Sequence, residues 1–456
     1  MKRLFIAFLC IVMVMAFLPT VAFAQTNYFA VTIDGVRTEY PSAGDAVAAV
    51  GEGQTAVIEL LADYNGGGVK IEPADAGKDI TFKLNGHTWN VGDPLVGSPG
   101  TETNAFQLLK GNKVTFTDGA ITSTKAKILF QNYCDLTIDK MDISLTTPGT
   151  GTYVASNNNG TTVIKGGTVI TNTPGNHALD SFTFGDYEGG NVIVENATIN
   201  GDVEAANGGK LTLNGGTING NVDVYNYTYD NNVSKPAVFV MENGAIAGDL
   251  NTTKIGDTTI NGGMVEGKVT FDDSEGAKAV INGGYFTSVD EKVEIIADVV
   301  TEMTDGVDTF IVASEDSLND ILDEINRMVE EGEIEAADLE QMSITVNKAP
   351  ASFKLEVPVG VTVANATENP ITVNDESVAA DGEITVKEPE TTNPDEGKDD
   401  SAVGGDDKPA TEPEEKPETD KDVPKTGDSS NLVLWLTLLA LTGSALAGTV
   451  VYSRKK

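Results

Sequence analysis

The side chains able to do chemistry gather in two short stretches of the 456-residue chain. The first carries His177, Asp180, Asp186 and Glu188 together with Phe182, Phe184 and Tyr187. Acids spaced like these could supply a general acid and a general base to a glycosidic bond. The second stretch is Tyr225-Asn226-Tyr227-Thr228-Tyr229, where strand-like alternation turns Tyr225, Tyr227 and Tyr229 to one side. Tyrosine faces stack on sugar rings or peptide side chains, and their hydroxyls add hydrogen bonds. The candidate ligand-binding residues are therefore Tyr225, Tyr227, Tyr229, Phe182, Phe184 and Tyr187. No residue is assigned a catalytic role, because acidic residues, 69 in all, occur throughout the chain and four ionisable groups in one segment are expected by chance.

Composition narrows the classes further. The chain has two histidines, His87 and His177, and two cysteines, of which Cys10 lies in the leader described below. Cys134 is then alone, without a disulfide partner, and reads as a buried apolar side chain. Metal clusters built from His and Cys are excluded by count, no metal site or cofactor is expected, and the many carboxylates fit at most weak calcium binding. The charge is −39 overall. Between residues 25 and 426 the chain loses Lys2, Arg3, Arg454, Lys455, Lys456 and Asp428, which leaves 25 basic and 68 acidic residues, a net −43. That balance repels nucleic acid and anionic lipid, since phosphate binding needs clustered Lys and Arg.

The elements that must position these residues follow from a repeat. Asn-Gly-Gly recurs at Asn214, Asn261 and Asn282, and pairs of apolar residues five positions apart recur around it. The pairs are Leu84/Trp89, Phe116/Ile121, Ile138/Ile143, Ile164/Val169, Val194/Ile199, Leu213/Ile218, Met241/Ile246, Ile260/Val265 and Ile281/Phe286. A third apolar position follows at Val203, Val222, Leu250 and Val269. Three short strands separated by Gly and Asn corners make one coil, and stacked coils pair their strands in parallel around aliphatic ladders. The fold class expected is all-β, a parallel β-helix of about nine coils, roughly 40 Å long at the usual strand spacing. Trp89 sits at a ladder position and is expected in the core. The two chemical stretches follow Val169 and Ile218 in their coils and so emerge on one flank, where a shared groove is plausible.

The flanking segments complete the organisation. Residues 25–80, with a helix over Asp45 to Val50, cap the open strand edge, and the repeat occupies 81–290. Ser314 begins a helix over Glu315 to Glu331 whose apolar face is Leu318, Ile321, Leu322, Ile325 and Met328, stopped by Gly332. Strands such as Phe353–Val357 follow, and 291–386 reads as a small α+β module. Residues 387–422 hold 14 acidic residues and 5 lysines without apolar periodicity, a disordered stalk. Drawn out, it would reach about 110 Å.

Both termini are addresses. Residues 1–24 open with Lys2 and Arg3, run apolar from Leu4 to Leu18 and end in Ala22-Phe23-Ala24, a secretory signal peptide cleaved after Ala24. At the other end Val423-Pro424-Lys425-Thr426-Gly427 (423–427) precedes an apolar segment, 431–452, long enough for a transmembrane helix, and the basic tail 453–456. This order resembles the LPxTG-type sorting signals of sortase substrates in Gram-positive bacteria, matched at Pro424, Thr426 and Gly427, with Val423 in place of the usual Leu. The resemblance implies that a sortase attacks the Thr426 carbonyl, releases Gly427 onward and passes the acyl group to peptidoglycan. Membrane contact is then confined to the helix before cleavage, and the mature protein is extracellular, anchored to the cell wall. The repeat in turn resembles the right-handed pectate-lyase-like β-helices. Lyases of that kind imply an Arg or Lys base beside calcium-holding carboxylates, whereas Arg37 and Arg327, the arginines between the two ends, both lie outside the repeat. The expected function is a non-catalytic adhesin or glycan-binding display protein with a glycan or host-surface ligand. A polysaccharide-degrading enzyme and a passive surface rod remain the alternatives.

Overall fold

The computed structural model describes residues 26–183, 189–226, 235–273, 276–304, 309–312, 315–332, 336–350 and 353–387. The expected signal peptide with Ala22 and Ala24, all but the first residue of the expected stalk, the motif Val423–Gly427, the apolar segment and the basic tail lie outside the described residues. So do Ser314, Phe184, Asp186, Tyr187, Glu188, Tyr227 and Tyr229. The chain is all-β with mainly parallel pairing and divides into two compact units, residues 1–204 with 208–210, and residues 205–207 with 211–456.

In the first unit, three stacks of parallel strands carry the interior. One aligns Ile58, Phe82, Phe116, Ile138, Ile164 and Val194 in register. A second aligns Tyr64, Trp89, Ile121, Ile143, Ile170 and Ile199. A third aligns Val69, Phe106, Phe130, Ala155 and Leu179. Identical positions on successive coils face one interior because the strand period of two is kept in phase across every turn. The aromatic members interlock: Trp89 meets Phe29, Tyr64 and Phe106 edge-on at 5.3, 5.8 and 5.0 Å, while Phe82 and Phe116 stack at 4.7 Å. Trp89 is fully buried, as its ladder position required. Each such ring contributes about 1.5–3 kcal/mol by leaving water.

Three sequence expectations shift here. The parallel ladder begins at Thr55, inside the segment expected as cap, because Thr55–Leu60 already alternates exposed and buried side chains and pairs with Asp79–Lys83. Phe82, not Leu84, faces Phe116, and Asn85-Gly86 turn the chain with positive φ starting three residues beyond that inward position. Ile170, not Val169, holds the ladder place between Ile143 and Ile199, and Val169 is exposed. Gly167, at φ +80°, lengthens that corner by one residue. The cap itself is a hairpin: Phe29–Ile33 pairs antiparallel with Val36–Tyr40 and, on its other side, with Thr55–Leu60, closing the free edge of the ladder. The short helix is Ala43–Ala48, set two residues earlier than expected because Ser42 caps it by accepting the Asp45 N–H.

In the second unit the ladders are Met241, Ile260, Ile281 and Ile295; Ile218, Ile246, Val265 and Phe286; and Val222, Leu250, Val269 and Val289. Here the expected pairs hold their places. The rung at Ile295 extends the stack beyond the last expected pair. Gly263, in one Asn-Gly-Gly corner, has φ +90°, and a Cβ there would lie 2.5 Å from the Gly244 carbonyl oxygen, so the corner requires glycine.

Tyr285–Val289 is met antiparallel by Thr309–Val312, which pairs with Val300–Thr304 and closes this edge as the hairpin closes the other. Helix Glu315–Glu330 buries Leu318, Leu322, Ile325 and Met328 in one cluster with Ile344, Val346, Phe353 and the coil residues Ala245 and Met264. The segment expected as a small α+β module thus shares a core with the coil residues Ala245 and Met264. Only Lys354–Leu355 of the expected strand Phe353–Val357 pairs as a strand, because the Asn374 side chain takes both the N–H and the carbonyl of Val357.

Candidate functional site

The segment from His177 is not an irregular loop. His177–Phe182 is a strand of the third stack, aligned with Tyr153–Asn158 so that Tyr153 faces His177 and Ser156 faces Asp180. The same alignment runs back through Gln131 to Gln107, one polar residue per coil in a single column. In this column Gln131 Oε1 accepts from Gln107 Nε2 at 2.8 Å and from Asn104 Nδ2 at 2.9 Å. Gln131 Oε1 thus takes two amide donors, while the Gln107 Oε1 atom is buried without a partner among the described residues.

The column changes character at Ser156 and Asp180. Ser156 Oγ donates to Asp180 Oδ2 at 3.0 Å, and Asn158 Nδ2 donates to Ser156 Oγ at 3.1 Å. The Tyr153 and His177 rings stack at 5.1 Å with 11° between their planes. His177 Nε2 lies 3.9 Å from Glu204 Oε2, close enough for charge attraction but too long for a hydrogen bond. Asp180 Oδ1 and His177 Nδ1 are buried and have no hydrogen-bond partner among the described residues.

Electrostatics follow from this enclosure. Burial pushes the Asp180 carboxyl well above the usual carboxylate range, the charge of Glu204 pushes it further, and the Ser156 hydrogen bond opposes both. Burial likewise pushes the Tyr153 hydroxyl up to about 12, with Glu204 and Asp180 adding. Two carboxyls in different settings beside an imidazole and a phenol can accept a cation, hold sugar hydroxyls, or divide into proton donor and acceptor. The cluster meets solvent at His177, whose side chain is 27% exposed, while that of Glu204 is 10% exposed.

Of the residues singled out from sequence, the structure brings His177 and Asp180 together. It places Phe182 among the buried residues. Tyr225, in the second unit, ends strand Val222–Tyr225 and is half-buried, its carbonyl accepting from the Asn207 N–H at 3.2 Å. Cys134 is buried, and its thiol is pushed up to about 12 by burial, with the charge of Asp135 adding, which removes it as a nucleophile. Among the described residues no group of three His, Cys, Asp or Glu is placed to hold a metal ion. Sequence reasoning missed Tyr153, Ser156 and Glu204. The signal was present in the spacing of Gln107, Gln131, Ser156, Asp180 and Glu204, which repeats every 24 or 25 residues, but that spacing is legible only once the strands are known to stack.

No protein-family model, no curated protein and no solved structure matches the chain.

Proposed function

We propose that the chain is an exported display protein, attached by a sortase to peptidoglycan of a Gram-positive cell wall, whose right-handed, pectate-lyase-like β-helix presents a glycan-binding flank. The observation that carries the attachment is the order of parts at the C-terminus: Val423-Pro424-Lys425-Thr426-Gly427, an apolar span, then Arg454, Lys455 and Lys456. The acidic, proline-containing run before it has the length to carry the body through a wall. What supports ligand binding over a passive rod is the pair of orphaned atoms, Asp180 Oδ1 and His177 Nδ1. Leaving a buried polar atom unpaired costs about 1–3 kcal/mol, and here two such atoms lie beside a second carboxyl, that of Glu204.

Attachment is tested by fractionating a sortase-positive host that expresses the full chain. The wild type is expected in the fraction released by wall hydrolase, while Thr426→Ala accumulates in the membrane fraction with its span uncleaved. Equal wall attachment of both forms would end the proposal.

A second reading, polysaccharide cleavage, is favoured by one observation: Asp180 is held toward its protonated form beside Glu204, an arrangement suited to acid–base division of labour. Release of oligosaccharides from a retained glycan by the wild type, abolished in Glu204→Gln, would establish it. A glycan recovered unshortened would leave binding alone.

A further inference from the structure

We infer that the cluster of Tyr153, Ser156, His177, Asp180 and Glu204 binds the ammonium group of an amino sugar. This rests on the reading of the flank as glycan-binding and names the class of glycan. The starting point is Asp180, a carboxyl 7% exposed, with one oxygen taken by Ser156 and the other unpartnered. No lysine or arginine among the described residues forms an ion pair with it. An acid enclosed beside a second acid is stable in two ways: it keeps a proton, or it receives a cation. A protonated Asp180 leaves Oδ1 orphaned all the same. An ammonium group placed at Oδ1 supplies both the missing donor and the missing charge, and charge-assisted bonds of this type are the stronger ones.

The other members select among cations. A divalent metal needs several carboxylate or imidazole ligands converging at bonding distance, and the described residues offer no such group of three. Around the carboxyls stand further hydrogen-bonding groups, the Tyr153 hydroxyl, the Ser156 hydroxyl and the unpartnered His177 Nδ1. They suit a ligand whose amine is accompanied by ring hydroxyls rather than by a methylene chain. The net −43 of the exported chain acts in the same direction at long range, drawing a cationic polymer and repelling acidic polysaccharides.

The test uses the exported chain, residues 25–426, titrated by calorimetry with three probes: a de-N-acetylated chitohexaose, its fully N-acetylated counterpart, and Nα-acetyl-lysine methylamide. The wild type is expected to bind the amine hexamer at least about tenfold more tightly than either other probe, the scale of one charge-assisted hydrogen bond. Asp180→Asn and Glu204→Gln should each lose that margin, while Asp142→Asn, at an exposed acid of the same unit, keeps it. Thermal melts of each variant confirm folding, and Asp180→Asn is close in shape to the protonated acid. Equal binding of the acetylated hexamer, preference for the lysine probe, an unchanged margin in both variants, or no binding of the amine hexamer would each overturn the inference. Of these, retention of the acetylated hexamer would leave the glycan-binding reading standing, and the Thr426→Ala fractionation reports on attachment independently.

Discussion

The two units use the same coil architecture and treat their polar side chains differently. In the second unit, outward polar residues bond rung to rung: Asn251 Nδ2 donates to Asp223 Oδ1 at 2.9 Å, Thr270 Oγ1 to Asn251 Oδ1 at 2.6 Å, and Asn282 Nδ2 to Asn261 Oδ1 at 2.8 Å. The first unit has ladders of this kind too, such as Thr122 Oγ1 to Asn90 Oδ1 and Asn90 Nδ2 to Asn65 Oδ1 at 3.2 and 3.0 Å. Its Gln107-to-Asp180 column is buried and less fully satisfied, with Gln107 Oε1 unpartnered at one end and Asp180 Oδ1 at the other. What sets the Asp180 end apart is that two unpartnered atoms, Asp180 Oδ1 and His177 Nδ1, stand beside a second carboxyl, that of Glu204. The interiors differ as well: aromatic rings interlock in the first unit, while aliphatic ladders dominate the second.

That contrast can be broken or sharpened by substitution. The largest effect is expected in the aromatic interior. Phe116→Ala removes a ring stacked on Phe82 and edge-on to Phe106 and Phe130, and should cost about 3–5 kcal/mol in urea denaturation. Next comes the corner glycine of the second unit: Gly263→Ala forces a Cβ against the Gly244 carbonyl at positive φ and should cost about 2 kcal/mol, seen as a lower Tm.

Asp180 has the opposite sign. Its carboxyl is raised in the folded state, so the folded chain holds the proton more tightly than the unfolded chain. The stability contributed is therefore complete below the ordinary carboxylate pKa and is lost as pH rises through the raised folded value. Asp180→Asn should raise Tm at pH 7 and flatten the fall in stability above pH 4, measured as Tm against pH. Smallest is the exposed ladder, where Asn251→Ala should cost about 0.5–1 kcal/mol, because water replaces the lost partners.

The sequence made some of this legible and hid the rest for physical reasons. Pairs such as Phe116/Ile121 and Ile260/Val265 fall in register because a five-residue step across a tight corner keeps both side chains inward. Leu84 and Val169 were misplaced where a corner shifted the phase by two residues or by one, which apolar residue type cannot reveal. His177 and Asp180 were visible as chemistry but read as an insert, since Ala178, Leu179 and Phe182 show no clean alternation. Ser156 and Tyr153, 24 residues earlier than their partners, share no local pattern with them and become neighbours only through coil stacking.

The most direct test of the central claim, that the broken column and not the tyrosine-rich segment is the binding site, is retention on a glycan array. Residues 25–426 would be compared with Asp180→Asn and with the triple variant Tyr225→Ala, Tyr227→Ala, Tyr229→Ala. Retention of the wild type and the triple variant with loss in Asp180→Asn is the result expected. Loss in the triple variant with Asp180→Asn unaffected would contradict the claim and return the site to the tyrosines.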